Sequence, residues 1–254
     1  MVEQENKYLE YKPSSSLQKI LQCYWSYSPD FSTDIQVNEN PVIPDGCVDI
    51  IFDLNLPTQS QCFVVGPMTK PMQNLKTNLF GIRFKPGMAV SFFHAPLQEM
   101  TDQIFTINGI GKLRTDHIAD HLANDTCSSK RIFFLDSIFE KLLSGQPALE
   151  KQIQYAIYAI ELSNGMMNIQ EITDKIGWSR QHLTRKFLKN TGLTPKFFSQ
   201  VIRVNRIIKT FEDNKMNNSL SDLAQVGGYL DQAHMTNEFK KITGITPQKF
   251  LKNT

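Results

Sequence analysis

The spacing of apolar and polar residues changes about a third of the way along the chain. Between residues 47 and 54, after the turn Pro44-Asp45-Gly46, apolar residues hold every second position, the pattern of a strand with one buried face. Two further apolar runs, 62–65 and 79–84, end at a Gly-Pro and a Pro-Gly pair. Short strands punctuated by Gly and Pro predict that the first part of the chain is a small β-barrel or sandwich.

From about residue 88, apolar residues recur at every third or fourth position, which is helical spacing. Two or three helices are therefore predicted to close the first domain. We place its boundary at Gly145-Gln146-Pro147, because Pro suits the first turn of a following helix. The predicted fold class is α+β, with a mostly β domain over residues 1–146 and an all-α domain over residues 147–254.

In the second domain the pattern predicts helix throughout. Ser179 is the predicted N-cap of a helix that ends at Gly192. A longer helix of about 16 residues, from near Pro195 to Phe211, would be about 24 Å long at about 1.5 Å per residue. Its length would set the distance between the elements on either side of it. The other helices are expected at about 148–163, at 169–176, and as a short and a long helix within 220–243.

One segment occurs twice in this second domain, in helix-turn-helix units expected at about 169–191 and 220–243. Gly177-Trp178 returns as Gly228-Tyr229, with a single residue inserted directly after the second pair. Each copy predicts a helix, a tight turn and a second helix, the arrangement that places a helix in the major groove of DNA. The further matches are Ile172 with Leu223, His182 with His234, Thr184 with Thr236, Lys189 with Lys241, and Gly192-Leu193-Thr194-Pro195 with Gly244-Ile245-Thr246-Pro247.

Charge is distributed unevenly between the two parts of the chain. Residues 1–149 hold 12 Lys and Arg against 16 Asp and Glu, a net charge of −4, whereas residues 150–254 hold 15 against 9, a net charge of +6. The basic excess therefore coincides with the repeated segment, as binding to phosphate would require. Double-stranded DNA is the predicted partner.

The last 100 residues or so resemble the DNA-binding domain of the AraC/XylS class of bacterial transcription regulators. The resemblance lies in the doubled unit with its closing Gly-x-Thr-Pro and in Arg203 of the linking helix. It implies a sequence-specific DNA-binding regulator, in which the second helix of each unit meets the bases. The residues that would face DNA are Arg180, Gln181, His182, Thr184, Arg185 and Lys189 in the first unit and Gln232, Ala233, His234, Thr236 and Asn237 in the second.

The chemistry of these residues suits base recognition, because Gln can pair with adenine and Arg with guanine. The intervening apolar residues of both helices are expected to face the core. His182 and His234 each have two interpretations, a phosphate contact or a role in local packing. The second unit departs from the class, with Asn237 where Arg is usual and Ala233 where Ser is usual. Since it lacks that charged contact, the first unit is expected to dominate specificity.

The first domain resembles an uncharacterised domain often attached to such regulators, through Ile43-Pro44-Asp45-Gly46 and Gly81-Ile82-Arg83-Phe84-x-Pro86-Gly87. In this class the first domain commonly senses a small molecule or mediates dimerisation, so a small-molecule effector and a homodimer are implied. Arg83 either points into a barrel and binds an anionic effector or lies at the solvent surface. The surface is favoured, because Arg is seldom buried unpaired. Four aromatic residues are expected in the core or an interface: Tyr24, Trp25, Phe92 and Phe93.

An enzyme is the rival interpretation, and it would need a nucleophile-base pair or a close cluster of metal ligands. Asp49 and Asp53 would stand about 13 Å apart along a strand, at about 3.3 Å per residue, too far for joint acid-base work. His117 and His121 have a chelating spacing, but Ile118 stands where a metalloprotease helix carries Glu. No catalysis, cofactor or metal is therefore expected. A module that contacts only proteins is the second rival.

The cysteines and the N-terminus bear on the compartment. Cys23, Cys47, Cys62 and Cys127 form no CxxC pair, which indicates reduced and mostly buried thiols. The polar N-terminus lacks the apolar segment of a signal peptide, and no run of about 18 apolar residues occurs. These features predict a cytoplasmic protein that does not span a membrane.

Overall fold

A computed structural model describes residues 7–29, 41–55, 62–73, 77–110, 113–143, 148–213 and 219–252. The strands are β1 Lys7–Tyr11, β2 Leu21–Ser28, β3 Val48–Asp53, β4 Cys62–Val65, β5 Leu79–Phe84, β6 Ile104–Thr106, β7 Gly109–Ile110 and β8 Leu113–Arg114. The helices are α1 Ala89–Phe93, α2 Thr115–Asn124, α3 Ser128–Leu143, α4 Lys151–Leu162, α5 Ile169–Ile176, α6 Arg180–Thr191, α7 Pro195–Asp213, α8 Leu220–Val226, α9 Gln232–Thr243 and α10 Pro247–Lys252, with a short 3₁₀ turn at Leu97–Glu99.

Strands β1 to β6 form one antiparallel sheet in the order β1-β2-β5-β3-β4-β6. The α+β class, with a mostly β first part closed by helices, is confirmed. Among the described residues, however, the sheet is open, with β1 and β6 at its edges, rather than a closed barrel or a pair of facing sheets. Helices α2 and α3 supply the second layer, because they bury the apolar face that a second sheet would otherwise cover.

The large core lies between that face of the sheet and these helices. Phe80, Ile82 and Phe84 of β5 are fully buried in it, as the alternating pattern predicts. Tyr24 is buried in the same core, and Trp25, its neighbour on β2, is buried in a smaller cluster on the opposite face. Successive side chains of a strand point to opposite faces, so β2 contributes to both layers.

The C-terminal helices follow the predicted spans closely. The helix-turn-helix units expected at about 169–191 and 220–243 are α5–α6 and α8–α9. Ser179 caps α6, its hydroxyl accepting a hydrogen bond of 3.2 Å from the backbone N–H of His182. Gly192 ends the same helix in the left-handed conformation that glycine adopts without strain. Local signals were sufficient here because caps and periodicity are properties of neighbouring residues.

Helix α7 is shared by the two units. Its 19 residues span about 28 Å at about 1.5 Å per residue, and it continues beyond the predicted end at Phe211. Phe198 packs in the core of the first unit, whereas Val204 and Ile207 pack in the core of the second. One rigid helix therefore carries a side of each unit's hydrophobic core.

The predicted boundary at 145–147 lies outside the described residues, so the division into 1–146 and 147–254 stays a prediction. On either side of it the packing differs. Helix α3 belongs to the core of the sheet, and α4 packs against α5, α6 and α7. None of the helices in the described part of the chain combines the length and apolar character needed to cross a membrane.

Candidate nucleic-acid interface

Each helix-turn-helix unit is held by side-chain caps at the start of its helices. Asn168 accepts a hydrogen bond from the backbone of Gln170 at the start of α5. In the second unit Ser219 and Asp222 form a reciprocal capping box on α8. The carboxylate of Asp231 accepts from the N–H of His234, 2.7 Å away, at the start of α9. Ser179 and Asp231 therefore fix where α6 and α9 begin and hence which side chains stand in their first turns.

Helix α6 buries one face and exposes the other. Leu183 and Phe187 are fully buried in the core of the first unit, as predicted. Of the residues predicted to meet DNA, those that are exposed are Arg180, Gln181, Arg185 and Lys189, and those that are half-buried are His182 and Thr184. The exposed face thus carries three cations and an amide, although its contact with DNA stays a prediction.

Helix α9 repeats this division with a different charge pattern. Met235 and Phe239 are fully buried, as predicted. The exposed residues on the predicted DNA side are Gln232, Ala233, His234 and Asn237, and Thr236 is half-buried. Cations appear only towards the end of the helix, at the exposed Lys240 and Lys241. The second unit therefore presents polar groups where the first presents arginines.

The two matching histidines occupy the same local position in both units. The ring of His182 meets Trp178 edge-on with centroids 4.5 Å apart, and the ring of His234 meets Tyr229 in the same way at 5.3 Å. Packing against the aromatic residue of the turn is therefore a role that both histidines have. A phosphate contact of either histidine stays a prediction.

Two features of the interface were missed by the sequence reasoning. Leu230, the residue inserted in the second copy, is 95% exposed directly before the cap of α9. Glu238, in the middle of α9, is buried although its neighbours in sequence include predicted DNA contacts. The repeat held a signal for the unusual place of Glu238, since the matching position in α6 also carries a charged residue, Lys186. The Lys186 side chain pairs at 2.9 Å with Glu150.

Arg83 is mostly buried among carboxylates, so the favoured expectation of a surface arginine is wrong. Its side chain is 19% exposed, and its Nε lies 3.1 Å from Asp49 and 3.5 Å from Asp45. Its Nη1 lies 4.0 Å from Glu10. Strand pairing places Asp49 directly opposite Arg83, which the sequence did not reveal. Burial raises the pKa of Asp49, while Arg83 opposes that rise. Burial alone would lower the pKa of Arg83, but Asp49 and Asp45 raise it well above its ordinary value.

Structural partners are present for His121, Asp116 and Asp53 of the first part. The ring of His121 stacks on Phe134 with centroids 3.7 Å apart, and Arg114 binds the carboxylate of Asp116. Asp53 accepts hydrogen bonds from the backbone N–H of Asn55 and from the hydroxyl of Thr77. Within the described residues there is no group of three or more His, Cys, Asp or Glu able to hold a metal ion.

The cysteines are unpaired thiols in the described structure. Cys23 and Cys62 are buried, Cys47 is half-buried and Cys127 is exposed. Burial raises the pKa of Cys23 and of Cys62 to about 12. These two thiols therefore stay protonated and unreactive near neutral pH.

A groove of about 410 Å³ lies where the first part meets the helices. It runs between the turn that follows β5 and one side of α4. Its lining combines aromatic, aliphatic and charged side chains, including Lys85, Met88, Lys151, Tyr155 and Tyr158. The volume falls within the range of about 300–1,000 Å³ that is usual for small-molecule sites.

The first part also touches the C-terminal ends of α6 and α9. A Cβ added to Gly192, the glycine that ends α6, would lie 2.6 Å from the ring of Pro67, and one added to Gly244, which ends α9, would lie 3.0 Å from Pro71. The hydroxyl of Thr101 donates to the carbonyl of Gly192 at 2.8 Å. The segment from Pro67 to Pro71 therefore spans both units.

Comparison with known proteins finds two matching families along the chain. Residues 9–106 match a family described as a domain of unknown function (DUF6597), and residues 172–253 match a helix-turn-helix domain. YbfI, an uncharacterised HTH-type transcriptional regulator of Bacillus subtilis (strain 168), is 35% identical over 69 residues, which are 27% of this chain and 24% of that protein. An uncharacterised HTH-type transcriptional regulator of Staphylococcus aureus is 27% identical over 86 residues, 33% of this chain and 11% of that protein.

The chain therefore covers about a quarter of the first of these relatives and about a tenth of the second. Among solved structures, a variant of apo ToxT from Vibrio cholerae is 13% identical with a TM-score of 0.47, over 97% of this chain and 96% of that chain. A probable AraC family transcriptional regulator from Rhodopseudomonas palustris is 17% identical with a TM-score of 0.37, over 41% of this chain and 96% of that chain.

Proposed function

Residues 172–253 form a helix-turn-helix domain of the AraC type behind an N-terminal domain of unknown function, and from this we propose that the protein is a sequence-specific regulator of transcription that binds double-stranded DNA. One observation carries the proposal. Helices α6 and α9 each bury an apolar face and leave the predicted DNA-reading side chains on the opposite, exposed face. Such a protein would act in the cytoplasm, where bacterial DNA lies.

The two units have different roles in this proposal. In α6, Arg185 would donate to a guanine and Gln181 would pair with an adenine, while Lys189 binds phosphate. In α9, Ala233 stands at the position that matches Gln181, and Gln232 would supply an amide at the position that matches Arg180. Asn237 replaces a charged contact with a neutral one. Attraction of α9 to phosphate would depend on Lys240 and Lys241 at the end of the helix. The first unit would therefore supply most of the specificity and the second would mainly grip the backbone.

We further propose that the first domain modulates DNA binding through its contacts with the C-terminal ends of α6 and α9. The packing of Pro67 against Gly192 and of Pro71 against Gly244 supports this, because a shift of that segment would change how the two helices stand to each other. A second contact reinforces the coupling, in which the side-chain amide of Asn205 on α7 donates to the carbonyl of Pro44 at 2.9 Å.

A small-molecule effector is the proposed source of such a shift. Arg83 is retained as a candidate ligand for an anionic effector, which would have to compete with Asp49 and Asp45 for the guanidinium group. The groove between the turn after β5 and α4 is an alternative place, because it lies at the junction of the two parts. A homodimer belongs to the same proposal, and the mass of the protein in solution at several concentrations tests it.

Selection of random duplex DNA by the full-length protein tests the proposed function. We expect two short motifs about ten base pairs apart, since recognition helices on one side of a duplex reach successive major grooves about 34 Å apart. Affinity for the winning site should fall steeply with salt, because bound Lys and Arg release counterions. Binding that depends on neither sequence nor salt would contradict the proposal and favour a module that contacts only proteins.

Substitution of two helix-ending glycines tests the contact between the parts. Gly177 and Gly192 both have a positive φ, 71° and 74°, so Ala at either position should cost about 1–2 kcal/mol of backbone strain. A Cβ at Gly177 meets no atom within 4 Å, whereas one at Gly192 would collide with Pro67 and Thr101. Gly192→Ala should therefore also loosen the contact between the parts.

Hydrogen exchange separates these two effects. Amides of residues 62–66 and 97–101 should exchange faster in Gly192→Ala than in Gly177→Ala, with thermal unfolding measured on both variants. The Gly177 variant is the control for strain alone. Equal exchange in the two variants would show that this contact does not hold the parts together.

A further inference from the structure

A carboxylate is buried inside the second recognition helix, on the side away from the predicted DNA face. Glu238 is 5% exposed and stands directly before the buried Phe239. Removing a carboxylate from water is costly unless it is paired and hydrogen-bonded. The other residues that α9 buries are apolar except for Thr243, so packing alone does not explain a glutamate at this place.

Glu238 is fully paired by groups from other elements. Arg203 of α7 donates to both carboxylate oxygens, with Nη2 at 2.8 Å from Oε1 and 3.0 Å from Oε2 and Nε at 3.0 Å from Oε1. Gln200, one turn earlier on α7, donates to Oε2 at 2.8 Å. The hydroxyl of Tyr229, in the turn before α9, donates to Oε1 at 2.6 Å. Burial raises the pKa of Tyr229 above its ordinary value, which keeps this hydroxyl protonated.

The same arginine reaches the first unit. Its Nη1 donates to the carbonyl of Gly165 at 3.0 Å, in the turn between α4 and α5. Helix α7 lies directly on that turn, because a Cβ on Gly165 would overlap the carbonyl oxygen of Ser199. The guanidinium of Arg203 therefore joins the turn that leads into the first unit to the recognition helix of the second.

An ion pair of this kind fixes the relative geometry of the elements it joins more than it adds to stability. Buried pairs often add little to stability compared with apolar residues of similar size, but their hydrogen bonds are satisfied in one geometry only. Geometry matters for two helices that must enter successive grooves, because a shift of one base pair moves a half-site by about 3.4 Å and turns it by about 34°.

We propose that Arg203 and Glu238 are positioning residues, which fix the separation and angle of α6 and α9 and thereby the spacing of the two half-sites that the protein accepts. This inference rests on the proposed function for its DNA readout. The fixed geometry between the two units can be measured without DNA.

A double variant removes the directional hydrogen bonds of the ion pair and keeps the packing. Arg203→Met with Glu238→Leu replaces the buried pair by apolar side chains, and Glu238→Gln is the milder change, which keeps the volume and removes the charge. The matched control is Lys186→Gln, at the same position of the first unit, where the side chain pairs with Glu150 and joins no second unit.

Pulsed electron-electron distance measurements test the geometry directly. Spin labels placed at the exposed positions Lys175 on α5 and Gln225 on α8, in a Cys127→Ser background, report the separation of the units in the full-length protein. We expect a narrow distance distribution in the parent protein and in Lys186→Gln, and a broader or shifted one in the double variant and in Glu238→Gln. An unchanged distribution in both of these variants would overturn the inference.

DNA supplies the functional readout on the site obtained by selection. The parent protein should lose about tenfold or more in affinity when one base pair is added between the half-sites, on the scale of losing a set of base contacts. The double variant should lose much less, while its affinity for a duplex with only the first half-site stays the same. Equal spacing dependence in the parent and the double variant would overturn the inference. If the parent protein showed no sequence-specific binding, the proposed function would be contradicted. The distance measurement would then decide the inference.

Discussion

Replacement of Arg185 by Ala is expected to lower affinity for the selected duplex by about 1–3 kcal/mol and to relax specificity at one position only. Arg185 is exposed on α6, opposite the buried Leu183 and Phe187, where its fork of donors can match the acceptors of a guanine. The measurement is the Kd of the variant for the preferred site and for sites changed at single base pairs.

Lys189→Ala is the matched control on the same helix. A lysine that binds phosphate carries no base information, so its loss should weaken all sequences alike and reduce the salt slope by about 1. Asn237→Ala, at the position of α9 that matches Arg185, should have a smaller effect than Arg185→Ala. An Arg185→Ala protein with parental affinity and specificity would remove base reading by this residue.

Replacement of Arg203 by Met is expected to cause the largest loss of stability, about 3 kcal/mol or more in the free energy of unfolding. The change leaves the carboxylate of Glu238 buried with only Gln200 and Tyr229 to donate to it. A buried charge without its counter-ion is far more costly than an apolar pair at the same place. Chemical denaturation of the full-length variant measures the loss.

The double variant Arg203→Met with Glu238→Leu should recover most of that loss, because no uncompensated charge remains. Lys186→Gln, which breaks a more exposed pair, should change the free energy of unfolding by less than about 1 kcal/mol. If the single and double variants were equally unstable, the cost would come from lost packing of Arg203, and the buried carboxylate would not be its cause.

The sequence predicted the C-terminal elements well because their signals are local. Caps such as Ser179, helix-ending glycines such as Gly192, and apolar residues at helical spacing act within a few residues of one another. The repeat then predicted which faces of α6 and α9 are buried, and Leu183, Phe187, Met235 and Phe239 confirm that prediction. Contact of the exposed residues with DNA stays a prediction.

The fold of the first domain was harder to predict from the sequence, because a sheet depends on pairing between distant residues. Strand β5 lies between β2 and β3, so Arg83 faces Asp49, 34 positions earlier in the chain. That register supplies the carboxylate that an arginine needs when it is mostly buried. The same reason explains why an open sheet covered by helices could not be told from a small barrel, since both have the same alternating strands.

The sequence by itself determined that a mostly β part precedes the helices, and it determined the doubled helix-turn-helix unit and the inward faces of its helices, because each depends on short-range periodicity and capping. Only the tertiary structure decided the register of the sheet, the ion pairs of Arg83, and the burial of Glu238 against Arg203. It also decided which residues of the first part meet the ends of α6 and α9. These depend on contacts between residues far apart in sequence, whose geometry is set when the elements pack.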